Sequence, residues 1–243
     1  QGWLEHTVHH STSFRSWWKY RTVQRLFPLP AGPTTIAEAY GVQRPQPESG
    51  RPWVGLCMVA SIDGSTVLDG ASAGLSSDVD RQVMLTLRSI ADMIIVGAGT
   101  VRAEGYGPPR KTGQRIGVVT RTGKVDLHLP LFTSGAGFLI MADDSPELPV
   151  DTVRAGTGEI DLAVALTRLP GSPRFVQAEG GASLNGSLAA SDLLDEINIT
   201  TSPMVVGGAG SRATTHAPAL SHRYSLAHLI ADDNFLFSRY VRA

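Results

Sequence analysis

From residue 53 onward the apolar positions alternate between two rhythms. Residues 53–61 are mostly apolar and stop at Asp63-Gly64, the composition of a strand that runs into a tight turn. Val79, Val83, Met84, Leu87, Ile90 and Ala91 then recur three and four apart, which predicts a helix, and Ser77 with Asp80 reads as its capping box. Met93-Ile-Ile-Val96 is a short apolar run bounded by Gly97, the mark of a strand buried on both faces. Further strands are predicted at 116–119, 138–141, 174–178 and 196–201, and helices near 159–169 and 182–190. Residues 224–230 and 235–241, joined by Asp232-Asp233-Asn234, read as a hairpin. The alternation predicts an α/β fold with a mostly parallel sheet, finished by antiparallel strands.

Residues 1–50 follow neither rhythm. They hold Trp3, Trp17 and Trp18 and are punctuated by Pro28, Pro30, Pro33, Pro45 and Pro47. Only 34–40, closed by Gly41, reads as a short capped helix. This stretch is expected to be an arm lying on the main body, 51–243, or on a second copy of it. Trp17-Trp18 is either a docking anchor or a ligand platform.

Composition narrows the function classes. With 243 residues, 42% of them hydrophobic, the chain is long enough for a real core in one domain or two small ones. A net charge of −1 without a basic cluster argues against nucleic acid as a partner. No apolar run reaches the length of a membrane span, and the N-terminus lacks a signal-peptide core. Cys57 is the single cysteine, so no internal disulfide forms and a reducing compartment is the default. A soluble, cytoplasmic protein is expected. The seven histidines are scattered without metal-ligand spacing, and no GxSxG elbow is present, so neither a metal centre nor a serine hydrolase is expected.

Glycine-rich turns carry the candidate chemistry. Gly97-Ala-Gly-Thr-Val-Arg102 follows a buried strand, with Thr100 placed to cap the next helix, and Glu179-Gly-Gly-Ala-Ser-Leu-Asn-Gly186 repeats the arrangement on another strand. Each is either a tight turn that needs glycine or a cradle for phosphate at a helix start. Two such turns in one parallel sheet flank the cleft where α/β folds bind ligands, which favours a dinucleotide. Gly208-Ala-Gly-Ser-Arg-Ala213 spells GxGxxA, but Pro218 interrupts the helix that the fingerprint requires; a surface loop or a rim of the site is expected instead. Arg81 and Arg88 share a helix face, Arg102 and Arg110 flank a glycine-rich segment, and any of these forks suits a substrate phosphate. Thr120-Arg121, closing the 116–119 strand, suits the 2′-phosphate that separates NADP from NAD.

Four stretches together resemble the riboflavin-biosynthesis pyrimidine reductases, which share the dihydrofolate-reductase-like fold with its twisted, mostly parallel sheet. They are Ala60-Ser-Ile-Asp-Gly64, Gly74-Leu-Ser-Ser77 with Arg88, Val96-Gly-Ala-Gly-Thr-Val-Arg-Ala-Glu104, and Glu179 to Gly186. The resemblance runs from about residue 53 to the end and omits the arm. It implies a homodimeric enzyme in which NADPH reduces a ribosylaminopyrimidine phosphate to its ribitylamino form. It further implies cofactor contacts from Val59, Gly97, Thr100, Glu104 and Thr120, with Gly181, Ala182, Ser183, Leu184, Asn185, Gly186 and Ser187 wrapping the pyrophosphate. Ser76, Arg88, Arg110 and Glu179 match substrate positions, and Glu179 is the candidate catalytic residue, orienting the pyrimidine or stabilising iminium charge. Asp63 is expected to shape its turn.

Two departures stand out. Cys57 lies where the family often has lysine, and Glu104 where aspartate is common. The deaminase half often fused in this family is expected to be missing, since no zinc signature is present. A pterin or folate reductase, or a nucleotide-binding protein without turnover, are the rival readings.

Overall fold

The computed structural model describes residues 21–243. Its strands are β1 (Thr22–Phe27), β2 (Gly32–Thr35), β3 (Trp53–Ser61), β4 (Met93–Gly97), β5 (Arg115–Val119), β6 (Gly137–Met141), β7 (Thr152–Arg154), β8 (Phe175–Ala178), β9 (Glu196–Ser202), β10 (Tyr224–Asp232) and β11 (Phe235–Arg242). They form one sheet in the order β2-β1-β10-β11-β9-β3-β8-β4-β5-β6-β7. From β9 to β7 every neighbouring pair is parallel; from β9 outward through β11, β10, β1 and β2 every pair is antiparallel. This is the dihydrofolate-reductase-like arrangement the sequence implied, with the predicted hairpin as its antiparallel part.

Helices α1 (Ile36–Tyr40), α2 (Asp78–Ile90), α3 (Ala98–Glu104), α4 (Pro130–Thr133), α5 (Leu162–Thr167) and α6 (Ala182–Ala190) cover the two faces. The alternation of β4 decides which face is which. Met93 and Ile95 pack with α5 and α6, whereas Ile94 and Val96 pack with α3 and α4. Trp53 and Phe175 share that second face with α1 and α2. Burial of Val79, Val83 and Leu87 on α2 stabilises the fold by about 1.5–3 kcal/mol each.

The helix caps depart in detail from expectation. Ser77 accepts the Asp80 N–H, but the Asp80 carboxylate turns to the Ser76 hydroxyl instead of closing the box. The complete capping box belongs to α1, between Thr35 and Glu38. Thr100 is not the cap of α3: the helix starts at Ala98 with Gly97 as N-cap, so Thr100 sits inside the first turn.

The described part of the N-terminal stretch joins the sheet. β1 pairs with β10, and Val23, Ile36 and Tyr40 enter the core beside α2. Further along, Arg44 holds the buried Glu196 through Nε and Nη2 at 2.9 and 2.7 Å, and Arg51 grips Asp195. Trp3, Trp17 and Trp18 lie outside the described residues. Among the described residues, no helix is long and apolar enough to cross a membrane.

Candidate active site

The carboxyl ends of β3, β8, β4 and β5 open onto a cleft of about 970 Å³. Such a position outside the strand ends is where open α/β sheets bind ligands. At its floor the two glycine turns touch. Gly97 N–H donates to the Gly180 carbonyl at 2.9 Å. A Cβ on Gly181 would stand 3.2 Å from Gly97 Cα, and one on Gly97 would stand 3.3 Å from Gly181 Cα. Gly180 and Gly181 both have positive φ, 84° and 82°, so glycine is required for conformation as well as space. Gly181, the N-cap of α6, offers no side chain, which leaves the N–H groups of the first turn without a side-chain acceptor.

On the α2 side of the sheet, Glu179 directly follows β8 with its side chain almost wholly buried (4% exposed). Arg88 donates to it from Nε (2.6 Å) and Nη2 (2.5 Å), Tyr106 from its hydroxyl (3.0 Å), and Gln177 from Nε2 (2.9 Å). Burial works against the Arg88 charge, but the hydrogen bonds and charge of Glu179 outweigh it and hold its pKa above the usual range. Burial first, and then the Glu179 charge, push the Tyr106 hydroxyl well above its usual pKa. The Glu179 side chain is thus fixed in position with its donors already in place.

Asp80, Met84 and Arg88 stand four residues apart on α2 and form the stripe that looks toward this end of the cleft, since Asp80 and Met84 line it. Arg81 is exposed and outside the lining. Asp80 accepts from Ser76 Oγ at 2.5 Å, and the neighbouring Thr200 hydroxyl also favours its charged form. Burial raises its pKa despite those bonds. Cys57, on β3, also lines the cleft, and burial followed by the Asp80 charge pushes its thiol well above the usual range. At neutral pH, position 57 therefore carries no charge.

Most of the sequence-predicted residues converge on this space. Val59, Gly97, Thr100, Glu104, Thr120, Glu179, Gly181, Ala182, Ser183, Leu184 and Ser187 all line it. Glu104 accepts from Ser72 Oγ at 2.6 Å, and Thr120 Oγ1 accepts from the Gly123 N–H at 3.1 Å. Arg88 reaches the site through Glu179, and Ser76 through Asp80. Asn185 and Gly186 face away. Asn185 donates to the Ala213 carbonyl, and a Cβ on Gly186 would collide with the Thr215 carbonyl, so both seat the 211–216 loop on α6. Arg110 is exposed and outside the lining, although Tyr106, four residues before it, lines the cleft.

Several residues escaped the sequence reading. Tyr106 sits between glycines and carries no periodic signal. Asp80 reads as a helix cap, although its four-residue offset from Met84 and Arg88 could have revealed it. The GxGxxA segment is a loop on the rim: the Ser211 carbonyl accepts from Thr66 N–H and Oγ1, and His216 Nδ1 lies 3.0 Å from Ser183 Oγ. Asp63 ties the same connection down, accepting from the Val206 and Gly207 N–H groups.

The sequence profile of the RibD C-terminal domain matches residues 52–236, which takes in every strand from β3 to β10 and the start of β11. The chain belongs to the RibD C-terminal domain family. A 2,5-diamino-6-ribosylamino-4(3H)-pyrimidinone 5′-phosphate reductase of Methanothermobacter thermautotrophicus is 30% identical over 67% of this chain and 82% of that protein. The riboflavin biosynthesis protein RibD of Bacillus amyloliquefaciens is 28% identical over 71% of this chain but only 49% of its own length. Among solved structures, a pyrimidine reductase-like protein of Corynebacterium diphtheriae superposes with a TM-score of 0.73 at 21% identity, covering 86% of this chain and 99% of that one. The RibD C-terminal family and its fold are those of pyrimidine-reductase-like enzymes.

Proposed function

We propose that this chain is an NADPH-dependent reductase that converts a ribosylaminopyrimidine phosphate to its ribitylamino product. The observation that carries the reading is Glu179, held by three donors at a strand end and set beside two glycine turns that touch.

The residues present fit the cofactor. The Gly97–Gly181 contact forms a cradle that any Cβ would fill, and the α6 N-terminus above it suits a diphosphate. Thr100 and Glu104 stand on one wall, Val59 on the other. Thr120, with Arg121 beside it on the lining, would hold the 2′-phosphate. When bound, NADPH supplies the hydride that reduces the ring-opened ribosyl carbon. The chain's own part is positional and electrostatic. Glu179, its oxygens already filled by its three partners, would balance positive charge at the substrate nitrogen without needing to move. A homodimer belongs to the same reading and is tested by sedimentation.

The deciding experiment follows NADPH absorbance with a panel containing the ribosylaminopyrimidine phosphates and dihydrofolate. Oxidation with a ribosylaminopyrimidine phosphate and a far slower rate with dihydrofolate is expected. The reverse ranking would overturn the assignment.

A further inference from the structure

The loop of residues 203–217, which contains the GxGxxA segment, has no role in the reaction above. It is tied to the cleft at both ends. Next to β3, the Ile62 N–H donates to the Met204 carbonyl and the Thr66 N–H to the Ser211 carbonyl, each at 2.8 Å. Next to α6, the Thr215 N–H donates to the Ala182 carbonyl at 2.9 Å, and Asn185 Nδ2 to the Ala213 carbonyl at 2.7 Å. Gly186 makes room for this seat, since a Cβ there would stand 2.0 Å from the Thr215 carbonyl oxygen. The anchors set His216 beside the first turn of α6, with Nδ1 3.0 Å from Ser183 Oγ. The ring is exposed and lines the cleft, and its Nε2 has no hydrogen-bond partner among the described residues.

We propose that His216 is a further cofactor-binding residue, one that donates from its imidazole to the NADPH diphosphate at the α6 end of the cradle. The inference rests on the NADPH reading above and adds a ligand residue to it. Among the described residues, the basic side chains lining the cleft are Arg102, Arg121 and His216. Arg102 belongs to α3 and donates to the Lys124 carbonyl, and Arg121 follows β5 beside Thr120. His216 is the one seated on α6, where the N–H groups of the first turn are uncharged donors. When the Ser183 hydroxyl donates to Nδ1, the neutral ring carries its proton on Nε2, a donor suited to a phosphate oxygen. Such a bond to a charged acceptor is stronger than one between neutral groups. Tethering at both ends fixes the ring before the ligand arrives, so little ordering is left to oppose binding. The backbone bears the cost: His216 holds φ 61°, a conformation that glycine and asparagine adopt more readily.

Calorimetric titration tests this with two ligands, NADPH and adenosine 2′-monophosphate, which keeps the 2′-phosphate but lacks the diphosphate. Wild type is compared with His216→Asn and His216→Gly, because both replacements accept the backbone angle. In each variant the Kd for NADPH should rise about tenfold, the loss expected for one hydrogen bond to a charged group. The Kd for adenosine 2′-monophosphate should hold. Unchanged NADPH affinity would overturn the proposal. So would an equal loss for both ligands with a lowered melting temperature, which would mean that His216 only seats the loop. A measurement on wild type carries the test if both variants melt early. The imidazole nitrogen NMR resonances of His216 should move on adding NADPH and stay in place with adenosine 2′-monophosphate; no movement with NADPH refutes the contact. Should wild type fail to bind NADPH at all, the cofactor reading falls and takes the proposal with it. Equal NADPH binding by all three proteins refutes the role of His216 alone.

Discussion

Arg88 and Glu179, 91 positions apart in the chain, meet through two parallel N–H···O bonds at the mouth of β8. Glu179 is almost fully enclosed and Arg88 three-quarters so. The pair sets the geometry of one end of the cleft, and its disruption is the most direct probe of the site.

Arg88→Ala should cost about 2–4 kcal/mol, below the top of the range for a fully buried pair because Arg88 keeps some solvent contact. Arg88→Lys should recover only part, since an ammonium cannot reproduce the fork. Chemical denaturation of the two variants and of Glu179→Gln, combined in a double-mutant cycle, checks this; a coupling near zero contradicts it.

Tyr106→Phe removes one donor to Glu179 and leaves the ring over Arg88. Stability should change by about 1 kcal/mol, while kcat/KM falls roughly tenfold through looser placement of the carboxylate. Equal kinetics for the two proteins would remove Tyr106 from the site.

Gly181→Val should abolish NADPH binding and destabilise the fold, because positive φ and the nearby Gly97 backbone both oppose a side chain. Gly113→Ala supplies the control. It has φ 76° with open space around it, so only the conformational cost of about 1–2 kcal/mol applies. Fluorescence titration of NADPH should therefore separate the two variants.

His228 gives a pH prediction. It packs edge-on against Tyr40, with ring centroids 4.5 Å apart, and faces Arg239, Glu196 and Arg44. Burial, and then the Arg239 charge, lower its pKa to about 4. The unfolded chain, with its ordinary value near 6.5, binds the proton first as pH drops. The stabilising contribution is therefore whole above about pH 6.5 and is lost as pH falls through about 4, amounting to about 3 kcal/mol. Thermal melts between pH 7.5 and 4 should show the decline, and His228→Phe should flatten it. Asp63, held at about pH 2 by Ser61 and then by the Gly207 and Val206 N–H groups, adds its own loss only in a more acidic window.

The parallel half of the fold was legible because its strands are buried on both faces and its helices show one apolar stripe. β3, β4, β5, β6, β8 and α2 all announce themselves that way. β1 and β2 do not: β1 is exposed at most positions, β2 is only half-buried, and Pro28, Pro30 and Pro33 punctuate the stretch, so they look like irregular chain until β10 is there to pair with β1. β7, at three residues, is too short for any period to register. In the site, the glycines spoke through local backbone need, whereas Tyr106 and Gln177 matter only because the fold carries them to Glu179. Arg110 shows the converse: charge and glycine mark its segment, yet the fold leaves Arg110 itself exposed and outside the lining.

The place of β1 in the sheet also bears on how the chain assembles. Among the described residues its neighbours are β2 and β10, and Arg21 finds Asp232 across 211 positions of sequence. The earliest described strand to leave a ribosome thus has no home until the closing hairpin emerges, a long-range closure of the kind that slows folding. A nascent chain arrested before Tyr224 should expose residues 22–40 to protease, and emergence of residues 224–243 should bury them.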